Sequence, residues 1–312
     1  MFFCLGILLL LFVTKQILCS NRLYYNTFDL LYRYKMVLQE YKPSLMLSEH
    51  VRTFRLVHYE YKLDGSLPIK AYPPRPEQCL SFYARDCETV EYQNSGTKTG
   101  NLSSVLFGHQ TEVTNRFIGN NFLLIQVVFK PGGLYRLTGI PSNNFTNQYI
   151  DAETVFSKEI KQVNNKINDC KSYLQMILVV ETFLINELTR TGCDQHAVDI
   201  ATTNLFSTSL TPTVDVLAKI ACQSTRHFER NFKERMGISP KYYLKVMRFE
   251  NAFRMKNKNP HLDWLSIAIS CGYYDYQHLA RDYKDLTGYT PNAFHQIDLK
   301  APERLFGEAD TY

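Results

Sequence analysis

Residues 217–240 read LAKIACQSTRHFERNFKERMGISP, and residues 267–291 read IAISCGYYDYQHLARDYKDLTGYTP. Laid over each other, they stay in step once a single extra residue is allowed in the second. Before that insertion Thr213 pairs with Asp263, Ala218 with Ala268 and Cys222 with Gly272. After it His227 pairs with His278, Arg230 with Arg281, Phe232 with Tyr283, Lys233 with Lys284, Gly237 with Gly288 and Pro240 with Pro291. So many chemically distinct residues in register mark an internal duplication of one supersecondary unit.

Each copy spells a helix, a turn and a second helix. Thr213 and Asp263 are placed as N-caps whose side-chain oxygens accept from an unpaired amide, and Ala218 and Ala268 allow two helices to cross closely. In the second helix of copy one, Phe228, Phe232 and Met236 share a face, while Arg226 and Arg230 lie about 160 to 200 degrees from Phe228 at 100 degrees per residue. Copy two repeats this, with Leu279, Tyr283 and Leu286 inward and Gln277 and Arg281 outward. Each copy ends on a restart signal, Gly237 then Ser239-Pro240 and Gly288 then Thr290-Pro291, which joins an αL-tolerant residue, an N-cap and a proline at the first helical position. Between the copies Pro240–Asn257 reads as one helix of about 27 Å, set against the roughly 34 Å between successive major grooves on one side of B-DNA.

These residues resemble the AraC/XylS transcription regulators. The pattern LA-x3-C-x-S-x2-HFER-x-FKERMG-x-SP-x-YY, followed by IA-x2-CGY-x-D-x2-HLAR-x-YK-x2-TG-x-TP-x-AF, carries the resemblance over residues 194–297. It implies an all-α C-terminal domain of two helix-turn-helix units joined by a linker helix, double-stranded DNA as partner, and RNA polymerase as a further one. It places Arg226 and Arg230 at base-reading positions of the first recognition helix, and Gln277 and Arg281 at those of the second. The residue types suit that work, since Arg pairs bidentately with guanine and Gln with adenine in the major groove. Thr225, Lys233, Lys241, Tyr276 and Lys284 are the expected phosphate contacts, which position without specifying. Cys222 departs from the small residue usual in the first turn, Leu279 replaces a frequent phenylalanine, and the role of Tyr274 is left open.

At 312 residues the chain has room for two domains, and 45% apolar with 21% charged residues is a globular composition. The excess of 35 Lys and Arg over 30 Asp and Glu is mild, but Lys219 to Lys258 holds eleven basic residues against Glu229, Glu234 and Glu250. That band is a candidate phosphate-facing surface. The eight cysteines show no CxxC and the eight histidines no zinc-ligand spacing, so no metal or cofactor is expected. No GxSxG or HExxH pattern is present, and the chain is not read as an enzyme.

Upstream, short strands are expected at Val51–Tyr61, Cys79–Tyr83, Thr89–Tyr92, Ser104–Phe107, Val113–Phe117 and Phe122–Phe129, with an Asp-Gly turn after the first. Their spacing suggests a small β barrel or sandwich. Phe122–Phe129 is nearly all apolar, as a strand covered on both faces would be, and Pro131-Gly132-Gly133 should turn into a short helix. Ile167–Thr189 is expected to form one long amphipathic helix with Tyr173, Ile177, Val180, Phe183, Leu184 and Leu188 on its stripe, serving core packing or a homodimer. A second short helix is expected around His196–Phe206. The segments MVLQEYKPS (36–44) and FKPGGLYRL (129–137) resemble cupin-like sensory domains fused to such regulators, which implies control by a small-molecule effector of unknown identity.

The fold class is thus α+β. An apolar segment spans 1–35, a sensory and dimerisation domain 36–190, a DNA-binding domain 194–297, and a tail 298–312. Phe2–Val13 is shorter than the roughly 18 to 20 residues of a spanning helix and lacks a basic prelude. Residues 1–35 are read as an extension upstream of a start at Met36, with a cytoplasmic protein as the expectation. The alternative is a membrane-tethered sensor-regulator anchored by residues 2–18.

Overall fold

The computed structural model describes residues 34–61, 70–191, 194–207 and 211–299. The readings of the first 33 residues, the Asp-Gly turn at 64–65 and nearly all of the tail lie outside them. Among the described residues no helix is long and apolar enough to cross a membrane.

The N-terminal part is two antiparallel sheets. The larger has six strands, β1 (Tyr34–Tyr41), β2 (Val51–Tyr61), β9 (Asn121–Phe129), β4 (Cys79–Tyr83), β7 (Ser104–Phe107) and β10 (Ile150–Asp151), in that order across the sheet. The smaller runs β3 (Lys70–Tyr72), β8 (Thr114–Phe117), β5 (Thr89–Tyr92), β6 (Lys98–Gly100). No strand is shared between them among the described residues, so of the two expected forms this is the sandwich and the barrel is not closed.

β9 shows why its sequence reads apolar throughout. Successive side chains of a strand point to opposite faces: Leu123, Ile125, Val127 and Phe129 enter the core beneath the helices, while Phe122, Leu124 and Val128 enter a second core on the other face. Both faces are covered, so alternation of apolar with polar residues disappears. Gln126 keeps the polar contacts of the second face, taking Nη1 of Arg55 at 2.8 Å and donating to Ser81 Oγ at 3.3 Å.

The helical layer corrects the expectation of one helix over Ile167–Thr189. After α1 (Gly133–Thr138) there are two helices, α2 (Glu153–Asp169) and α3 (Tyr173–Thr191). Cys170 between them is extended, and the Ser172 hydroxyl accepts from the Gln175 amide at 3.3 Å as the second helix starts. An N-cap restarts what periodicity alone runs together. α2 also carries a legible stripe, with Phe156, Ile160, Val163 and Ile167 in the core. The turn at Pro131-Gly132 does lead into a short helix, with Gly132 left-handed at φ 75.

The C-terminal part is all helical: α4 (Ala197–Thr202), α5 (Val214–Ile220), α6 (Thr225–Met236), α7 (Pro240–Lys258), α8 (Trp264–Ser270), α9 (Tyr276–Thr287) and α10 (Pro291–Asp298). Two cores meet on α7. Tyr243, Leu244 and Met247 pack with α4–α6, and Val246, Phe249 and Ala252 pack with α8–α10. At 19 residues α7 is about 28 Å long. Its start is fixed by the Ser239 cap on the Tyr242 amide and by Pro240 in the first turn.

Candidate nucleic-acid interface

The two helix-turn-helix units are built alike, down to their turns. In the first, Cys222 takes the left-handed conformation at φ 53 and the Gln223 amide returns to the Ala218 carbonyl at 2.9 Å. In the second, Gly272 does so at φ 80 and the Tyr273 amide returns to Ala268 at 3.0 Å. Ser224 then caps α6 through the His227 amide, and Asp275 caps α9 through the His278 amide.

The caps fix which face of each helix is inside. On α6, Phe228 and Phe232 are fully buried, and Thr225, Arg226, Arg230 and Lys233 are exposed. On α9, Leu279, Tyr283 and Leu286 are buried, Gln277, Arg281 and Lys284 are exposed, and Tyr276 is half-buried against the core. Lys241 is exposed in the first turn of α7. Several outward groups are braced in advance. Thr225 donates its hydroxyl to Asp215 Oδ1 at 2.8 Å, Arg230 Nη2 meets His227 Nδ1 at 2.8 Å, and Arg281 Nε donates to the Gln277 carbonyl at 3.4 Å. The two units thus present equivalent polar faces on helices seated at different parts of α7, with Phe232 edge-on to Tyr243 and Phe249 edge-on to Tyr283.

Residues 217–297 match the family model of a helix-turn-helix domain. This unit is an AraC-type helix-turn-helix domain. Residues 39–151 match a separate domain of unknown function (DUF6597). No curated protein matches the chain. Among solved structures the chain is similar to ToxT from Vibrio cholerae O395, at 8% identity over 75% of this chain and 94% of that chain, with a TM-score of 0.43. It is also similar to the DNA-binding domain of AdpA, a global transcriptional factor, in complex with a target DNA, at 22% identity over 34% and 95% of the two chains and a TM-score of 0.32. A third similarity is to the C-terminal domain of AraT, a response regulator from Geobacillus stearothermophilus, at 23% identity over 33% and 85% and a TM-score of 0.31. AraC-type domains are those of DNA-binding transcription regulators.

Within the AraC-type domain the basic band is smaller than its sequence suggests. Arg235 is buried in an ion pair with Asp199. Lys245 pairs with Asp285 at 2.9 Å, Arg248 with Asp282 at 3.5 Å and Arg254 with Glu250 at 2.8 Å. Lys256 donates to the carbonyls of Pro260 and Leu262. Those five cations are engaged inside the domain, and Lys219, Arg226, Arg230, Lys233, Lys241 and Lys258 are the exposed ones. Arg235, Lys245 and Arg248 find their acidic partners outside the 219–258 band, at Asp199, Asp285 and Asp282, which a local charge count cannot register.

The residue inserted in the second turn also finds its place. Tyr273 is 3% exposed, edge-on to His278 at 5.1 Å, with the Arg248 guanidinium 5.4 Å from its ring centre. Tyr274 is displaced outward and is 88% exposed beside the N-cap of α9. Burial and the nearby Asp282 carboxylate push the Tyr273 phenol well above its ordinary range, so it stays neutral.

Proposed function

We propose that the chain is a sequence-specific regulator that lays α6 and α9 into adjacent major grooves of one asymmetric double-stranded DNA site. Arg226 and Arg230 on α6, and Gln277 and Arg281 on α9, read base edges. Thr225, Lys233, Lys241, Tyr276 and Lys284 hold phosphates. The sheet domain supplies control, through a small-molecule effector or a second copy of the chain, and bound DNA presents the regulator to RNA polymerase.

The observation that carries this reading is the repeated separation of faces. In both units every aromatic and aliphatic side chain of the inner stripe is buried, while the four side chains of base-reading type are exposed. A solvated face without a partner would not need side chains of base-reading type at matching positions twice. The test is DNA selected from a random pool by the chain, followed by two variants. Arg281→Ala should cost about 1 to 3 kcal/mol on the selected site and relax its sequence preference, while Lys284→Ala should weaken all sequences alike. Equal losses for Arg281→Ala on selected and random DNA would remove its base-reading role.

A further inference from the structure

The last four carbonyls of a helix have no partners within it, and solvent or a cap satisfies them. At the end of α6 the Gly237 amide takes the Lys233 carbonyl, and the sheet domain satisfies those of Arg235 and Met236 and, just beyond them, that of Gly237. Ser142 Oγ donates to the Arg235 carbonyl at 2.7 Å, His109 Nδ1 to the Met236 carbonyl at 2.8 Å, and Thr146 Oγ1 to the Gly237 carbonyl at 3.0 Å. Gln78 Nε2 adds a longer bond to Met236 O at 3.4 Å, and the Gly132 amide approaches Met236 Sδ at 3.1 Å. Tyr135 reaches Glu234 one turn earlier.

Two glycines make the fit possible. Gly237 caps α6 at φ 81, and a methyl group there would stand 2.5 Å from Thr146 Oγ1 and 2.6 Å from the Ser142 carbonyl. Gly132, from the Pro-Gly-Gly turn, faces the Asp199 carboxylate that holds Arg235, and a methyl group there would overlap it. The duplication provides an internal comparison. Gly288 caps α9 with nearly the same geometry, φ 80, yet is exposed and a methyl group on it would meet nothing within 4 Å. The sheet domain reaches α7 as well, where Tyr242 donates to the Thr111 carbonyl at 3.2 Å. No hydrogen bond or ion pair among the described residues joins it to α9.

We propose that the sheet domain controls DNA reading asymmetrically: it grips the C-terminal end of α6, and so sets the orientation of the first reading helix, while α9 is left ungripped. The grip stands on the contacts alone, whereas the control step rests on the DNA-reading role given to α6 above. Met236 and Arg226 are ten residues apart, about 15 Å of helix, so a tilt of about ten degrees at the gripped end moves Arg226 by about 2.6 Å. That displacement is comparable with the length of the hydrogen bonds Arg226 would make to a base.

The experiment compares Gly237→Ala with Gly288→Ala in the full chain. Both variants bear the same left-handed strain, and only the first intrudes on the sheet domain. Amide exchange over residues 108–111 and 141–147 should rise about tenfold in Gly237→Ala and stay unchanged in Gly288→Ala. Ser142→Ala combined with Thr146→Ala leaves the helix cap intact and should raise the same amides, which keeps the test usable if Gly237→Ala does not fold. Equal exchange in all proteins overturns the grip. Footprints on selected DNA then examine control. Loss of protection confined to the half-site of α6 in the opened variants supports it, and equal change in both half-sites overturns it. If the unaltered chain gives no footprint on any selected DNA, the DNA-reading role and the control step fall together, and the exchange result still decides the grip.

Discussion

Arg235 of α6 lies against Asp199 of α4 with its Nε 2.7 Å from Oδ1 and its Nη2 on the second carboxylate oxygen, both side chains over nine-tenths buried. The guanidinium also stands 4.5 Å from the centre of the Tyr135 ring. Asp199 accepts the His196 amide as well, in a capping box that starts α4. One carboxylate therefore ties the first helix of the C-terminal part to the end of the first reading helix. Removing one member of a buried pair leaves the other uncompensated, so Asp199→Ala should lower unfolding stability by about 3 to 5 kcal/mol. Asp199→Ala with Arg235→Met should recover a large part of that loss. Urea unfolding of the three proteins checks it, and a double variant no more stable than the single would show that the pair is not the source.

The same pair marks where sequence reading stops. The outward faces of α6 and α9 are legible because 100 degrees per residue, counted from the inner stripe of Phe228 and Phe232 or of Leu279 and Tyr283, fixes them from local text. The strands Val51–Tyr61, Cys79–Tyr83, Thr89–Tyr92 and Ser104–Phe107 are legible because turn residues bound them. Arg235 falls in the same basic run as Arg230 and Lys233, and nothing nearby announces Asp199, 36 residues upstream. β1, β3, β6 and β10 escape notice too. β3 and β10 pair with strands distant in sequence, and β3, β6 and β10 are only two or three residues long. The break at Cys170 is hidden because apolar spacing continues across it.

Cys222 and Gly272 hold matching left-handed positions in the two turns, at φ 53 and φ 80. A side chain at such a position carries steric strain that glycine lacks, partly offset by glycine's greater freedom in the unfolded chain. Cys222→Gly should therefore stabilise the chain by about 0.5 to 1 kcal/mol, and Gly272→Cys should cost about 1 to 2 kcal/mol. Thermal unfolding of both variants measures this. A stabilising Gly272→Cys would contradict the strain argument.

His109 introduces a dependence on pH. Burial pushes its pKa down to about 4, opposed in part by its bond to the Met236 carbonyl and by the Glu77 carboxylate. The folded chain keeps the ring neutral, whereas the unfolded chain takes up a proton near pH 6.5. The unfolded state thus binds more protons between these values. The contribution is present in full above pH 6.5 and is lost as pH falls toward 4, up to about 3 kcal/mol in all. His50 is pushed to about 4 as well, chiefly by burial, and acts in the same direction. The informative quantity is the difference between the unaltered chain and His109→Asn. Melting temperatures from pH 7 to pH 5 should fall less steeply in the variant, and parallel curves would exclude His109 as the source.

Salt dependence should separate the exposed cations from the engaged ones. Lys233 is exposed on α6, while Lys245 is held by Asp285 at 2.9 Å and Asp282 at 3.8 Å. A cation that neutralises a phosphate releases a counterion, and each such contact contributes about 0.9 to the slope of log affinity against log salt concentration on duplex DNA. Lys233→Ala should therefore reduce that slope by about 0.9 on the selected site. Lys245→Ala should leave the slope unchanged, because its charge is already paired within the protein, and should act on stability instead. Affinities titrated between low and moderate salt for the two variants distinguish them. Equal slopes would place Lys233 outside the interface, and a reduced slope for Lys245→Ala would mean that its acidic partners release it when DNA arrives.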